Sequence, residues 1–196
     1  MTVNIRFGGL PLTQTQPQNP VPLPSTDTIK NRLNTGDCNA YIANLIAKAN
    51  ELYGGNGNVA VAKDGLNLLS KISGQGGFVS KDFLKIDGWP VSGTVSGSIA
   101  RRTATVLIST RFMFGNSAST TALWQEDYIN SAIHEMLHLS GKYSGYDDTQ
   151  LATAASKLPG AGAGLPAPPK DYKDMKAIFA NSSYFDAELK KHCGGK

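Results

Sequence analysis

Between residues 127 and 141 the chain reads Asp-Tyr-Ile-Asn-Ser-Ala-Ile-His-Glu-Met-Leu-His-Leu-Ser-Gly, and nearly every residue sorts onto one of two helical faces. At ~100° per residue from His134, Asp127, Ser131 and His138 fall within about 60° on one side and Asn130 within about 40° on the other. Tyr128, Ile129, Ala132, Ile133, Met136, Leu137 and Leu139 fill the remaining arc. A helix divided in this way buries its apolar side in a protein interior and turns its polar side toward a site. Gly141 supplies a helix stop, and Lys142 stands where the helix dipole favours a cation.

The polar face has a specific chemistry. His134 and His138 lie four residues apart, so their rings point the same way about one turn apart and can grip one metal ion, while Glu135 stays free to act as a base. This is the HExxH pattern of zinc-dependent peptidases. A lone histidine is more often an ordinary helix residue. Here two of the chain's three histidines share a face with a glutamate at the required offset, which favours the metal site.

A catalytic zinc ion takes three protein ligands and keeps one position open. A third histidine six residues beyond His138 is absent, since Ser144 stands there. The oxygen donors close in sequence are Asp147 and Asp148; Asp148 is favoured, Asp147 second, and Glu188, the only glutamate after His138, third. An aspartate before Thr-Gln-Leu-Ala also suits a helix N-cap, so one of Asp147 and Asp148 can cap while the other ligates. Tyr143 and Tyr146 are the nearest candidates to stabilise a developing oxyanion. Asn130 and Ser131, about a turn before His134, are candidate partners for the ligand rings.

The 196-residue length suits one domain with an appendage. We expect a Pro-rich tether over residues 1–34, densest in proline between Pro11 and Pro24, and a folded domain over 35–196. The expected elements are a helix capped by Asp37, a second helix over 61–72, strands over 94–100 and 104–112, the HExxH helix, a helix over 149–157, and final helices over 170–180 and 184–191. The later strand, beside the metal, would offer an edge for an extended peptide. No stretch approaches a membrane span. A net charge of +4 with scattered lysines and no aromatic platform argues against a nucleic-acid partner. The N-terminus lacks the order of a secretion signal, so the chain is either cytosolic or cut from a longer precursor. Cys38 and Cys193 are either two buried thiols or a bridge closing a loop of about 155 residues.

Asp-Cys-x-x-Tyr-Ile-x-x-Leu-Ile near the start, then Ile-His-Glu-Met-Leu-His-Leu-Ser-Gly, Tyr-Asp-Asp-x-x-Leu-Ala and a closing Ser-Tyr-Phe-x-x-x-Leu-x-x-x-Cys together resemble the zincin-like domains at the C-terminal ends of large bacterial Rhs-repeat, toxin-type proteins. The resemblance spans about residues 35–193 and is most specific over 134–152. It implies an α+β zincin-like fold, mainly helical with a small β-sheet packed beside the HExxH helix. It further implies a zinc metallopeptidase with a peptide or protein substrate, Asp148 as the matching aspartate, and paired cysteines in a secreted protein attached to a larger upstream chain. A zinc-stabilised, non-catalytic binding or toxin-associated module is the competing expectation.

Overall fold

The computed structural model describes residues 24–58, 121–140 and 145–195, together with the backbone of five short strands between residues 77 and 109. Among the described residues the helices are α1 (Thr26–Leu33), α2 (Gly36–Tyr53), α3 (Thr121–Leu137), α4 (Asp148–Ser156) and α5 (Met175–Cys193). α2 presents Cys38, Tyr41, Ile42, Leu45, Ile46 and Ala49 as one buried stripe at helical spacing. It begins after Thr35, not at Asp37, and stops at Gly54, whose φ of 64° is a left-handed conformation that a side chain would strain. α3 buries Tyr128, Ile129, Ala132, Ile133, Met136 and Leu137, the apolar arc expected from the sequence. α4 offers Leu151 with three small residues, Ala152, Ala154 and Ala155, so neighbouring backbones can approach it closely. From α5 come Phe185, Leu189 and Cys193.

Every buried apolar side chain in the described structure belongs to one of these helices or to Leu139 and Tyr146, which flank the link from α3 to α4. The expected α+β fold, with a small sheet packed beside the HExxH helix, is therefore corrected: the described body is helical. The strands β1 (Gly77–Lys81), β2 (Lys85–Ile86), β3 (Trp89–Pro90), β4 (Gly93–Ser96) and β5 (Thr105–Ser109) are short backbone pairings. β5 lies between β1, to which it is parallel, and β4, to which it is antiparallel. Its backbone groups are committed on both sides, so the strand expected to present an edge to substrate has none to present.

Two further boundaries differ from expectation. Residues 26–33, assigned to the tether, form α1, with Ser25 capping the backbone N–H of Thr28 at 3.2 Å and Ile29 and Leu33 buried. The two final helices are one. Asn181, which resembles a breaker, is buried and satisfied within α5, its amide donating to the Ala177 carbonyl at 2.9 Å and to Ala167 at 3.0 Å. The helix expected over 61–72 and the tether before residue 24 lie outside the described residues.

Long-range polar contacts lock the ends together. Arg32 on α1 forms a two-pronged ion pair with Glu126 on α3, at 2.5 and 2.7 Å, and donates to the Cys193 carbonyl at 2.8 Å. The Gly195 N–H adds a 2.9 Å bond to Glu126. Cys38 and Cys193 are joined as a disulfide between α2 and α5, 155 residues apart.

Two outcomes follow from these ties. Replacing both cysteines with alanine lowers unfolding free energy by up to about 5 kcal/mol on the chain-entropy argument, read by urea denaturation with matched slopes. The Arg32 hydrogen bond is the main cause holding the Glu126 carboxyl below its usual range, so its contribution is complete above the ordinary glutamate pKa and disappears as pH falls through the lower, folded value. Glu126→Gln should therefore lower Tm near neutrality, with the deficit shrinking toward zero in strong acid.

Candidate metal centre

α3 delivers both histidines, and its last turn sets their spread. The helix ends at Leu137, and the next backbone bonds, Leu139 N–H to Met136 at 3.0 Å and Ser140 N–H to Leu137 at 3.1 Å, tighten to three-residue spacing. His138 thus sits in the closing turn, its ring centroid 5.1 Å from that of His134.

α4 supplies the carboxylate. Asp147 is the N-cap: its side chain accepts from the Gln150 N–H at 2.8 Å while Gln150 returns a bond to the Asp147 N–H at 3.0 Å. That box fixes the start of α4 and turns the next residue, Asp148, inward. Asp148 Oδ1 stands 2.8 Å from His134 Nε2 and 3.6 Å from His138 Nε2. The division of labour between adjacent aspartates follows from their places in the first turn: one faces the exposed backbone end, the other the neighbouring helix.

Each ring is braced from behind. His138 Nδ1 lies 2.6 Å from the Tyr146 carbonyl, which can only accept, so that nitrogen carries the proton and Nε2 is left to face inward. His134 Nδ1 lies 2.7 Å from Asp186 Oδ1 on α5, and Phe185 covers the ring with centroids 4.9 Å apart. Glu135 is buried, and its carboxylate lies within 4.8 Å of the ligand atoms of both histidines.

The electrostatics are those of a buried, coupled cluster. Burial works against a charged His134, but Asp186 and Asp148 outweigh it and hold the ring well above its ordinary pKa. His138 is lowered, chiefly by burial, and stays neutral. Glu135 is pushed up to about 8 by burial, against the pull of His134 and with the push of Asp148 and Asp186. For Asp148 burial is overcome by its bond to His134, both imidazoles and Ser182, which bring it down to about 2.

The other expected residues fall elsewhere. Glu188 is buried but engaged by the Gly162 N–H at 3.0 Å and Lys191 at 2.8 Å. Tyr146 is buried with its hydroxyl donated to Asn50 Oδ1, so it supplies a carbonyl to His138 and no donor to the site. Tyr143 lies outside the described residues. Asn130 is buried and Ser131 half-buried, and neither is the partner of the rings; Asp186 and the Tyr146 carbonyl hold those places. Asp186 carried no distinguishing signal, being one charged residue in the Phe-Asp-Ala-Glu-Leu run of a helix.

Two imidazole Nε2 atoms and a carboxylate oxygen converge, with both Nδ1 atoms occupied behind them. This nitrogen and oxygen donor set fits a borderline divalent ion such as zinc. Comparison of the chain with protein-family models, curated proteins and solved structures found no match.

The neighbouring aspartates separate cap from ligand. Asp147→Ala should cost about 1 kcal/mol of stability and leave metal content unchanged after dialysis. Asp148→Ala should lose the metal, read by elemental analysis.

Proposed function

We propose that the chain is a zinc-dependent peptidase in which His134, His138 and Asp148 hold the metal and Glu135 is the general base. The observation that carries this reading is the convergence of His134 Nε2, His138 Nε2 and Asp148 Oδ1 beside a buried glutamate. When bound, zinc supplies Lewis acidity, lowering the pKa of water to about 7 and polarising a carbonyl. Glu135 takes the proton from the attacking water at a carboxylate oxygen and returns it to the leaving amine nitrogen. Asp186 and the Tyr146 carbonyl keep the rings aimed, and Phe185 keeps water from the back of His134.

The substrate class is a peptide or protein. Among the described residues no helix is long and apolar enough to cross a membrane. The disulfide supports an oxidising, extracytoplasmic setting for the working protein.

Glu135→Gln tests the assignment of roles. It should keep about one zinc per chain and lower the turnover of a mixed peptide library, followed by mass spectrometry, by about 10²- to 10⁴-fold. Undiminished cleavage would remove Glu135 from the mechanism; a wild-type chain that binds zinc and cleaves nothing would leave a metal-stabilised binding module.

A further inference from the structure

We infer that Asn50, on a different helix from either histidine, is a positioning residue for His138, acting through Tyr146 and the loop that closes α2. The inference rests on the metal site proposed above.

The connection can be followed atom by atom. Asn50 lies in the last turn of α2 and grips Gly57 at both ends, its amide donating to the Gly57 carbonyl at 2.8 Å and its oxygen accepting the Gly57 N–H at 2.7 Å. The same oxygen accepts the hydroxyl of Tyr146, 96 residues away. Tyr146 in turn presents its carbonyl to His138 Nδ1 at 2.6 Å. The next residue of the loop, Asn58, donates its N–H to the Ser140 carbonyl at 3.0 Å, so the loop holds the chain two residues after His138 as well as the tyrosine behind its ring.

Two glycines shape the seat for Tyr146. A Cβ at Gly55 would collide with the tyrosine hydroxyl, and one at Gly57 would lie 2.8 Å from the ring edge. A third, Gly145, brings the chain against His138 so closely that a Cβ there would overlap the His138 carbonyl. The tyrosine is thus held at its hydroxyl, its ring and its preceding residue, and its carbonyl is the atom that meets His138 Nδ1. A loose tyrosine would still fill the core. It would not fix the direction of that carbonyl, and with it the ring and its protonated nitrogen.

The test is metal affinity of the purified full chain, with zinc and cobalt(II) as probes. Asn50→Ala and Tyr146→Phe should each weaken zinc binding about ten- to a hundredfold and shift the cobalt(II) absorption spectrum at saturating metal. The double variant should lose no more than either alone, since both cut one connection. Asn50→Asp keeps an oxygen for the tyrosine hydroxyl and the Gly57 N–H but sets a carboxylate oxygen against the Gly57 carbonyl, so it should restore only part of the affinity lost in Asn50→Ala. Arg32→Ala destabilises the fold away from the centre and should bind zinc as the wild type does. Wild-type affinity and spectrum in Asn50→Ala and Tyr146→Phe would overturn the inference and leave the metal site standing. So would losses that add independently, or an equal loss in Arg32→Ala. A wild-type chain that binds no zinc would overturn the metal site and this inference together.

Discussion

A histidine only 4% exposed, carrying a carboxylate on each ring nitrogen, is the interaction on which the rest of this structure depends. Burying one ionisable group without partners is strongly unfavourable, and here an imidazole and a glutamate are buried and a second imidazole half-buried within about one turn. The arrangement is tolerable because α4 and α5 bring Asp148 and Asp186 to opposite sides of His134. Three helices therefore share one electrostatic problem, and none of them can be repacked without reopening it. The apolar side of α3, from Tyr128 to Leu137, anchors the helix that carries it.

The remaining architecture serves that meeting of helices. α5 brings Phe185 and Asp186 to one ring and ends at the cysteine that fastens it to α2. α2 ends in the loop that seats Tyr146, so the last helix braces His134 and the second braces His138 by way of the tyrosine. The Arg32–Glu126 pair holds α1 to the early part of α3 beside the chain's covalent tie, since Arg32 also donates to the Cys193 carbonyl. In this scheme the hydrolytic reading needs few exposed groups, since most polar atoms near the ligands orient other polar atoms.

What was legible in the sequence was what periodicity and capping chemistry can carry. The two-faced helix around His134, the stripe on α2 from Cys38 to Ala49 and the alternative uses of Asp147 and Asp148 all depend on spacing within one segment. The helix α1 was hidden by its Pro-rich neighbours, although Ser25 with Ile29 and Leu33 held a cap and an apolar pair. The expected division of α5 fell at Asn181-Ser182-Ser183, where in the fold Asn181 satisfies carbonyls of its own helix and of the preceding loop. The expected sheet beside α3 came from β-branched composition and from resemblance, neither of which says which elements supply the core; among the described residues the helices do. Asp186 and Asn50 were illegible for the same reason. Their importance lies 52 residues from His134 and 96 from Tyr146, at distances no local pattern records.

On the peptidase reading proposed above, the bond between Cys38 and Cys193 has a further consequence. Nearly the whole folded chain lies between its two ends, so one internal cleavage opens a strand without producing a separate fragment. A molecule nicked by itself or by a neighbour keeps α2 and α5 covalently joined, and with them the two braces of the histidines. Damage of this kind adds one water to the mass but releases no fragment until a reductant divides the pieces, and the domain outlasts an encounter that would dismantle a chain closed only by weak contacts.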